Sequence, residues 1–122
     1  MRAFETTVRA LSYGIQVGGI ARYTHDDYFR TENVAVGNPW IMTTLWYAEF
    51  LIANARTEAD FARVREIFNW VVRHAQPSGV LSEQLHPQTG EQLSATPLMW
   101  SHAGYVIAVI KYLNRVQELG IA

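Results

Sequence analysis

The chain has 122 residues, the length of one ordinary domain, and it contains no cysteine, which excludes disulfides and thiolate metal sites. Its formal net charge of −1 gives no electrostatic reason to expect a nucleic-acid or anionic-membrane partner. The N-terminal residues lack the apolar core of a signal peptide, and the most apolar run, residues 45–53, is too short to span a bilayer. We therefore expect a cytoplasmic protein with no nucleic-acid or membrane partner.

The composition is unusually apolar for a chain of this size. Charged residues make up 17% of the sequence and apolar residues 49%, whereas a typical soluble domain has about 25% charged residues. Two interpretations stay open. One is a complete helical domain with a slightly adhesive surface. The other is a part of a larger body that packs one side against further polypeptide, for which self-association through that apolar surface is the expected symptom.

Periodicity predicts four helices, of which the first two differ in exposure. Residues 2–13 are weakly amphipathic. The apolar side of this segment consists of Phe4, Val8 and Leu11. Residues 40–55 are apolar on most faces, so we expect the second helix to be largely buried. Asn38 is its predicted N-cap and Pro39 its predicted first helical residue.

The third and fourth helices each have a start signal and an apolar stripe. Residues 58–75 begin at a capping-box pattern formed by Thr57 and Asp60. Their stripe consists of Phe61, Val64, Phe68, Val71, Val72 and Ala75. Residues 97–118 start at a proline that follows Thr96. The residues predicted to be buried there are Trp100, Ala103, Val106, Ile107, Ile110 and Leu113.

Two long connections, roughly residues 14–38 and 76–96, are rich in Gly, Pro, Asp, Gln and Ser. Connections of this length without regular structure are uncommon unless they are functional or disordered. In an up-down-up-down array both emerge at the same end of the helices. This predicts a site on a shared rim of two polar loops. Two flexible surface loops are the alternative, although their Trp and Tyr content favours packing.

Motifs in these two loops resemble a known family. The second loop contains Leu81-Ser-Glu-Gln84 followed by Gly90-Glu-Gln-Leu-Ser94. The first contains Arg22-Tyr-Thr-His-Asp-Asp-Tyr28 and leads to Gly37-Asn-Pro-Trp40. Together they resemble the C-terminal part of the glucoamylase-like inverting glycoside hydrolases, the group of glucoamylases, glucodextranases and some prokaryotic trehalases.

This resemblance implies an all-α fold of about four antiparallel helices, the C-terminal portion of an (α/α)6 barrel. Twelve helices of about 11 residues each would exceed the chain even without loops. We therefore interpret residues 1–122 as a C-terminal segment of such a catalytic domain.

The resemblance also implies that Glu83 is the catalytic base; taken alone, a loop glutamate is either a solvated charge or a base for an attacking water. Inverting glycosidases need a second carboxyl about 6.5–9.5 Å away that acts as the acid. The carboxylates considered for that role are Asp26, Asp27, Glu32, Glu49 and Glu91. None lies in a segment that resembles the family's acid. We expect the acid to lie upstream and the isolated chain to be inactive.

The first loop is the predicted sugar-binding element. Arg and Asp supply donors and acceptors for sugar hydroxyls, and aromatic rings pack against the C–H faces of a sugar. The resemblance implies that Arg22 contacts substrate and that Tyr23, Asp26 and Tyr28 shape the pocket. An Arg22–Asp26 pair that only holds the loop together is the alternative. Trp40 either lines the sugar subsite or is a buried aromatic at the start of a helix.

No cofactor or metal is expected, because the four histidines do not form a spaced ligand set. The substrate implied by the resemblance is an α-glucan or another α-glucoside. The implied partner is the remainder of the barrel, with self-association through apolar surface as the other choice. Two alternatives to an enzyme segment remain: a non-catalytic carbohydrate-binding module and an oligomerising helical module.

Overall fold

A computed structural model describes residues 2–121 as four α-helices and four strands of two residues each. The helices are α1 (Arg2–Leu11), α2 (Ile41–Asn54), α3 (Ala62–His74) and α4 (Met99–Glu118), and a 3-10 helix (Glu58–Phe61) precedes α3. The strands are β1 (Ile20–Ala21), β2 (Pro39–Trp40), β3 (Gln84–Leu85) and β4 (Gln92–Leu93). Within residues 2–121, none of the helices has the length and hydropathy needed to cross a bilayer.

The mostly helical fold is confirmed, but the description of the chain as all-α was wrong about the long loops. Their ends form an antiparallel sheet in the order β1-β2-β3-β4. Trp40 is paired with Ile20 on one side and with Gln84 on the other. Strands of two residues are too short for a period-2 pattern to reveal them. The sheet joins the first loop to the second.

Helix α2 lies at the centre of the core, as its composition predicted. It contributes to two buried apolar clusters, one with the second loop and α3, the other with the 3-10 helix and α3. The first cluster consists of Ile41, Leu45, Trp70, Val71, Leu81, Leu85 and Ala108. The second consists of Ala48, Ile52, Ala55, Phe61, Val64 and Ile67. The half-exposed Trp46 of α2 and the exposed Val72 of α3 depart from the prediction.

The predicted start of α2 was wrong by two residues. The helix begins at Ile41 with Trp40 as its N-cap residue. Pro39 lies instead in β2, paired with Ala21, because the backbone stays extended to complete the sheet. The side chain of Asn38 bonds across to the second loop and caps no helix.

The predicted cap before α3 is confirmed, and the predicted start of α4 was wrong. The capping box of Thr57 and Asp60 is present and caps the 3-10 helix. Helix α4 begins at Met99 rather than at Pro97. Its N-cap residue, Leu98, remains extended and donates its N–H to the carbonyl of Leu81 at 2.9 Å.

The predicted buried face of α4 was wrong. Helix α4 packs on α2 through small residues, Ser101, Gly104 and Ala108, which are buried. A Cβ at Gly104 would lie 2.7 Å from the Sδ atom of Met42, so the two helices are in close contact there. The large apolar side chains point elsewhere and are 46–79% exposed. They form, with Trp46 of α2, what we call the exposed apolar face: Met99, Trp100, Val106, Ile107, Ile110 and Leu113.

Helix α1 packs through the side that was predicted. Phe4 stacks on Phe50 of α2 with ring centroids 3.6 Å apart. Val8 and Leu11 are half-buried on the same side. The helix ends at Leu11, two residues earlier than predicted.

Candidate active site

The two long loops meet at the start of α2, where the sheet holds them in register. The N–H of Ile41 donates to the carbonyl of Glu83 at 3.2 Å, and the N–H groups of Gln16 and Val17 donate to the carbonyl of Pro87. Trp40 at the end of the first loop is therefore paired with the residue that follows Glu83. The segment that ends at Trp40 and the segment that contains Glu83, both predicted to carry site residues, therefore lie side by side.

Arg22 is the centre of the first group of site residues. Its Nε and Nη2 atoms donate to the two carboxylate oxygens of Asp26 at 3.0 and 3.1 Å. The guanidinium carbon lies 4.4, 4.8 and 5.5 Å from the ring centroids of Trp40, Tyr23 and Tyr28. The hydrogen bond to Asp26 raises the pKa of Arg22 above its usual value. The structure brings all five predicted sugar-binding residues together.

The same geometry shows that Arg22 holds the loop. Asp26 is only 1% exposed and also accepts the backbone N–H of Tyr28 at 3.2 Å. The Arg22–Asp26 pair therefore holds the loop together, which was the alternative role considered for it. The pair engages only the Nε and Nη2 atoms of the guanidinium. Its Nη1 group makes no hydrogen bond within residues 2–121. Two further N–H donors of Arg22 are available to a ligand.

The aromatic rings around Arg22 fall into two kinds. Tyr23 and Tyr28 are 49% and 46% exposed, so each offers a ring face or edge to solvent. Trp40 is 5% exposed, and its Nε1 atom has no hydrogen-bond partner in the described part of the chain. This burial agrees with one of the two interpretations of Trp40, that of a buried aromatic at the start of α2.

Glu83 is half-buried, and one of its carboxylate oxygens is held by two donors. Its Oε2 atom accepts hydrogen bonds from Ser94 Oγ at 2.5 Å and from Gln84 Nε2 at 3.2 Å. The backbone N–H of Glu83 donates to the carbonyl of Ala95 at 3.0 Å. No group between residues 2 and 121 donates to Oε1. The carboxylate is fixed in orientation while one oxygen stays available.

Ser94 was not given a role by the sequence analysis. It lies opposite Glu83, directly after β4, and its φ of 65° places it in the left-handed region. The motif Gly90-Glu-Gln-Leu-Ser94 contained the residue. Nothing in that motif indicated a contact with Glu83, because the contact depends on the β3–β4 pairing.

Two buried amides connect the loops behind Glu83. Asn38 and Gln84 are 2% and 0% exposed. Asn38 Nδ2 donates to Gln84 Oε1 at 3.0 Å and to the carbonyl of Phe29 at 2.7 Å. Thr31 Oγ1 donates to Asn38 Oδ1 at 3.2 Å. The sequence pattern does not predict this network, because an Asn before Pro at this place is typical of a helix N-cap.

The other candidate carboxylates are mostly engaged. Both oxygens of Asp26 accept hydrogen bonds from Arg22, so neither is free to donate a proton. Glu49 is paired with Lys111, and Glu32 lies 3.5 Å from His86 Nε2. In the part of the chain that the structure covers, no three His, Asp or Glu side chains are grouped so that they could hold a metal ion.

Comparison with known proteins supports the resemblance to glycoside hydrolases. Residues 61–110 match the profile of Glycosyl hydrolases family 15. The loop motifs predicted a resemblance to glucoamylase-like glycoside hydrolases. This match and the relatives described next confirm that resemblance. The matched range contains Glu83 and Ser94, whereas Arg22 lies before it.

Two curated relatives extend the likeness over nearly the whole chain. The chain is 36% identical over 118 residues to an uncharacterized glycosyl hydrolase of Methanocaldococcus jannaschii, covering 89% of this chain and 18% of that protein. It is 28% identical over 122 residues to a trehalase of Thermoplasma acidophilum, covering 95% and 20%. The chain thus spans about a fifth of the length of these relatives.

A solved structure shows the same fold. The glucoamylase of Hormoconis resinae superposes with a TM-score of 0.66 at 23% sequence identity. The match covers 93% of this chain and 27% of the glucoamylase chain. The arrangement of helices and loops is therefore that of one part of a glucoamylase.

Proposed function

We propose that the chain is a C-terminal segment of the (α/α)6 catalytic domain of an inverting α-glucoside hydrolase. In this proposal Glu83 is the general base, and the loop around Arg22 binds part of the sugar. The observation that carries it is the Glu83 carboxylate, which is held through Oε2 by Ser94 and Gln84 and leaves Oε1 without a partner among the described residues.

The geometry at Glu83 suits the activation of water. In an inverting glycosidase a carboxylate removes a proton from the water that attacks the anomeric carbon. The two donors on Oε2 fix the plane of the Glu83 carboxylate. Oε1 is then the oxygen that receives the proton. Glycoside hydrolysis by two carboxyls needs no metal or cofactor.

The cluster around Arg22 suits the binding of a sugar. The free Nη1 group supplies two donors to adjacent hydroxyls, and the exposed rings of Tyr23 and Tyr28 supply apolar surface for the C–H faces. Asp26 holds the guanidinium in place and so reduces the entropy lost on binding. An α-glucan or another α-glucoside is the proposed substrate, and the cytoplasm the proposed location.

The general acid is proposed to come from polypeptide outside this chain. The exposed apolar face of α4 is the surface that the remainder of the barrel would cover, since six large apolar side chains there are about half exposed or more. The isolated chain is therefore expected to be inactive.

The test uses the natural polypeptide that carries these residues. Hydrolysis of malto-oligosaccharides and trehalose is followed by glucose release, and the anomer first formed is identified by NMR. We expect Glu83→Gln to lower kcat by roughly 10²- to 10⁴-fold, the usual contribution of a general base. Glu91→Gln is the matched control, because Glu91 is an exposed glutamate of the same loop whose side chain makes no ion pair with the described residues. Full turnover by Glu83→Gln, or release of the anomer with retained configuration, would refute the proposal.

A non-catalytic carbohydrate-binding module is the second candidate. All of the residues proposed to bind sugar lie within the chain, whereas the proposed general acid does not, and this favours binding over chemistry. Saturable binding of malto-oligosaccharide by the natural polypeptide without turnover would establish this alternative.

An oligomerising module is the third candidate, and the exposed apolar face is the observation that favours it. A molar mass that rises with concentration in light scattering, with no sugar binding, would establish it.

A further inference from the structure

Asn38 occupies a buried position between the two loops and makes three hydrogen bonds with its side chain. Nδ2 donates to the carbonyl of Phe29 at 2.7 Å and to Gln84 Oε1 at 3.0 Å. Oδ1 accepts from Thr31 Oγ1 at 3.2 Å. Two of these partners belong to the first loop and one to the second. No other side chain within residues 2–121 bonds both the first loop and Gln84.

The chemistry of these partners fixes the orientation of both amides. The carbonyl of Phe29 can only accept, so the NH₂ group of Asn38 must face it. The second N–H of that group then points at Gln84, whose oxygen must accept it. This leaves the Gln84 NH₂ group turned toward the carboxylate of Glu83, 3.2 Å from Oε2. The chain of hydrogen bonds therefore has one direction, from the loop carbonyl to the base.

We propose that Asn38 is a positioning residue that couples the sugar-binding loop to the base, by fixing the Gln84 amide so that it donates to Glu83. This inference rests on the proposed function of Glu83. Asn38 does not touch the base or a substrate; it acts through Gln84.

The coupling arises because the hydrogen bonds of Asn38 differ between the observed loop conformation and an open one. Phe29 has a left-handed φ of 56°, so its carbonyl is aimed at Asn38 only while the loop keeps this conformation. If the loop opens, Asn38 loses the acceptor that fixes its orientation. Asn38 can then turn its Oδ1 atom toward Gln84, and this oxygen competes with Glu83 for the Gln84 NH₂ group. Glu83 therefore keeps the hydrogen bond from Gln84 Nε2 while the sugar-binding loop is in place.

The principal variant is Asn38→Asp in the natural polypeptide. It keeps the size of the side chain but replaces the NH₂ donor by a second acceptor. The new carboxylate is expected to compete with Glu83 for the Gln84 NH₂ group and so to weaken the hydrogen bond to Glu83. Loss of a hydrogen bond to a charged group predicts a roughly 10- to 100-fold lower kcat/KM. The acid limb of the pH–rate profile, which reports the base, is expected to move to higher pH.

A second variant tests the proposal even if Asn38→Asp fails to fold. Gln84→Met keeps the volume and the Asn38–Phe29 hydrogen bond but removes the donor to Glu83. It is expected to shift the acid limb in the same direction with little change in KM, whereas Asn38→Asp also releases the loop and raises KM. Ser101→Ala is the matched control. It deletes a buried hydroxyl that donates to the carbonyl of Ser82 at 2.8 Å and leaves the relay untouched.

A readout that does not need activity is the side-chain NH₂ signal of Gln84 in protein labelled with ¹⁵N-glutamine. In the unaltered protein these protons are expected to be protected from exchange, and Asn38→Asp is expected to change their shifts and expose them. Unchanged Gln84 signals in Asn38→Asp, or an unchanged acid limb in Gln84→Met, would overturn the relay. A fully active Glu83→Gln would instead remove the proposed base, while the Gln84 signals would still report whether Asn38 orients the amide.

Discussion

Gly19 and Gly79 offer a direct test of how the first loop is packed. Both have left-handed φ values, +89° and +85°. A Cβ at Gly19 would lie 2.6 Å from Trp70 Cζ2 and 2.9 Å from Pro39 Cβ, whereas a Cβ at Gly79 would meet no atom within 4 Å. Substitution by alanine therefore imposes the same backbone penalty at both sites and a steric clash at only one.

The expected magnitudes follow from these distances. Forcing alanine into the left-handed region costs about 1–2 kcal/mol, which applies to Gly79→Ala. Overpacking adds about 1–3 kcal/mol at Gly19. Trp70 cannot turn away freely, because it is 6% exposed and its Nε1 donates to the carbonyl of Val17 at 2.8 Å. Gly19→Ala is thus expected to lower the free energy of unfolding by about 1–3 kcal/mol more than Gly79→Ala.

Thermal unfolding followed by circular dichroism measures this difference. In the natural polypeptide Gly19→Ala is expected to melt below Gly79→Ala, by at most ~2–4 °C per kcal/mol because the domain that unfolds is larger than this chain. Since Gly19 directly precedes β1, the variant is also expected to weaken sugar binding through Arg22. Equal melting temperatures for the two variants would show that Trp70 accommodates a methyl group, and the packing argument would be wrong.

Three further outcomes are expected. Ser94→Ala removes the short donor to the proposed base, so the acid limb of the pH–rate profile should move to higher pH and kcat/KM should fall roughly tenfold. Arg22→Lys keeps the charge but loses the two-point contact with its buried carboxylate partner, and calorimetry should show malto-oligosaccharide binding weakened roughly tenfold. The backbone N–H of Arg56, followed by that of Thr57, lowers the pKa of Asp60 below its usual 3.8. A lowered pKa contributes stability that is present above the ordinary value and is lost as pH falls through the folded value, so Asp60→Asn should flatten the decline in melting temperature below about pH 5.

The sequence predicted the helices well because each carries a 3.6-residue pattern over at least three turns. It failed at the two starts that contain proline. The rule that proline favours the first helical position is correct as a preference. At Pro39, however, pairing with β1 keeps the backbone extended, and at Pro97 the second loop continues to Leu98. Both errors arise from tertiary contacts that no local pattern encodes.

The error at α4 has a different origin. Hydropathy ranks large apolar residues as buried, but close contact between two helices selects small ones. Ser101, Gly104 and Ala108 lie at helical spacing and let α4 approach Met42 of α2. That stripe was visible in the sequence, although it competes with a larger apolar stripe on the opposite side. The large stripe is the surface available to other polypeptide.

In the candidate site, too, some residues were predictable from the sequence and others were not. Glu83 and Arg22 were singled out because the motifs that contain them resemble those of the glucoamylase-like glycoside hydrolases. The contacts of Ser94 and Asn38 depend on strand pairing between residues far apart in the sequence. A motif contains such residues but does not say what they touch.

The distribution of carboxylates explains why catalysis is proposed for a larger body than this chain. A general acid must be kept protonated at working pH by apolar surroundings or by a like charge. Among the carboxylates considered for the acid, Asp26, Glu49 and Glu32 face cationic or histidine side chains. Asp27 and Glu91 are exposed to water. None has the setting that an acid requires, whereas Glu83, with two donors on one oxygen, has the setting that a base requires. In the proposed function, this chain supplies the carboxylate that activates water, and the group that protonates the leaving group is expected to come from further polypeptide.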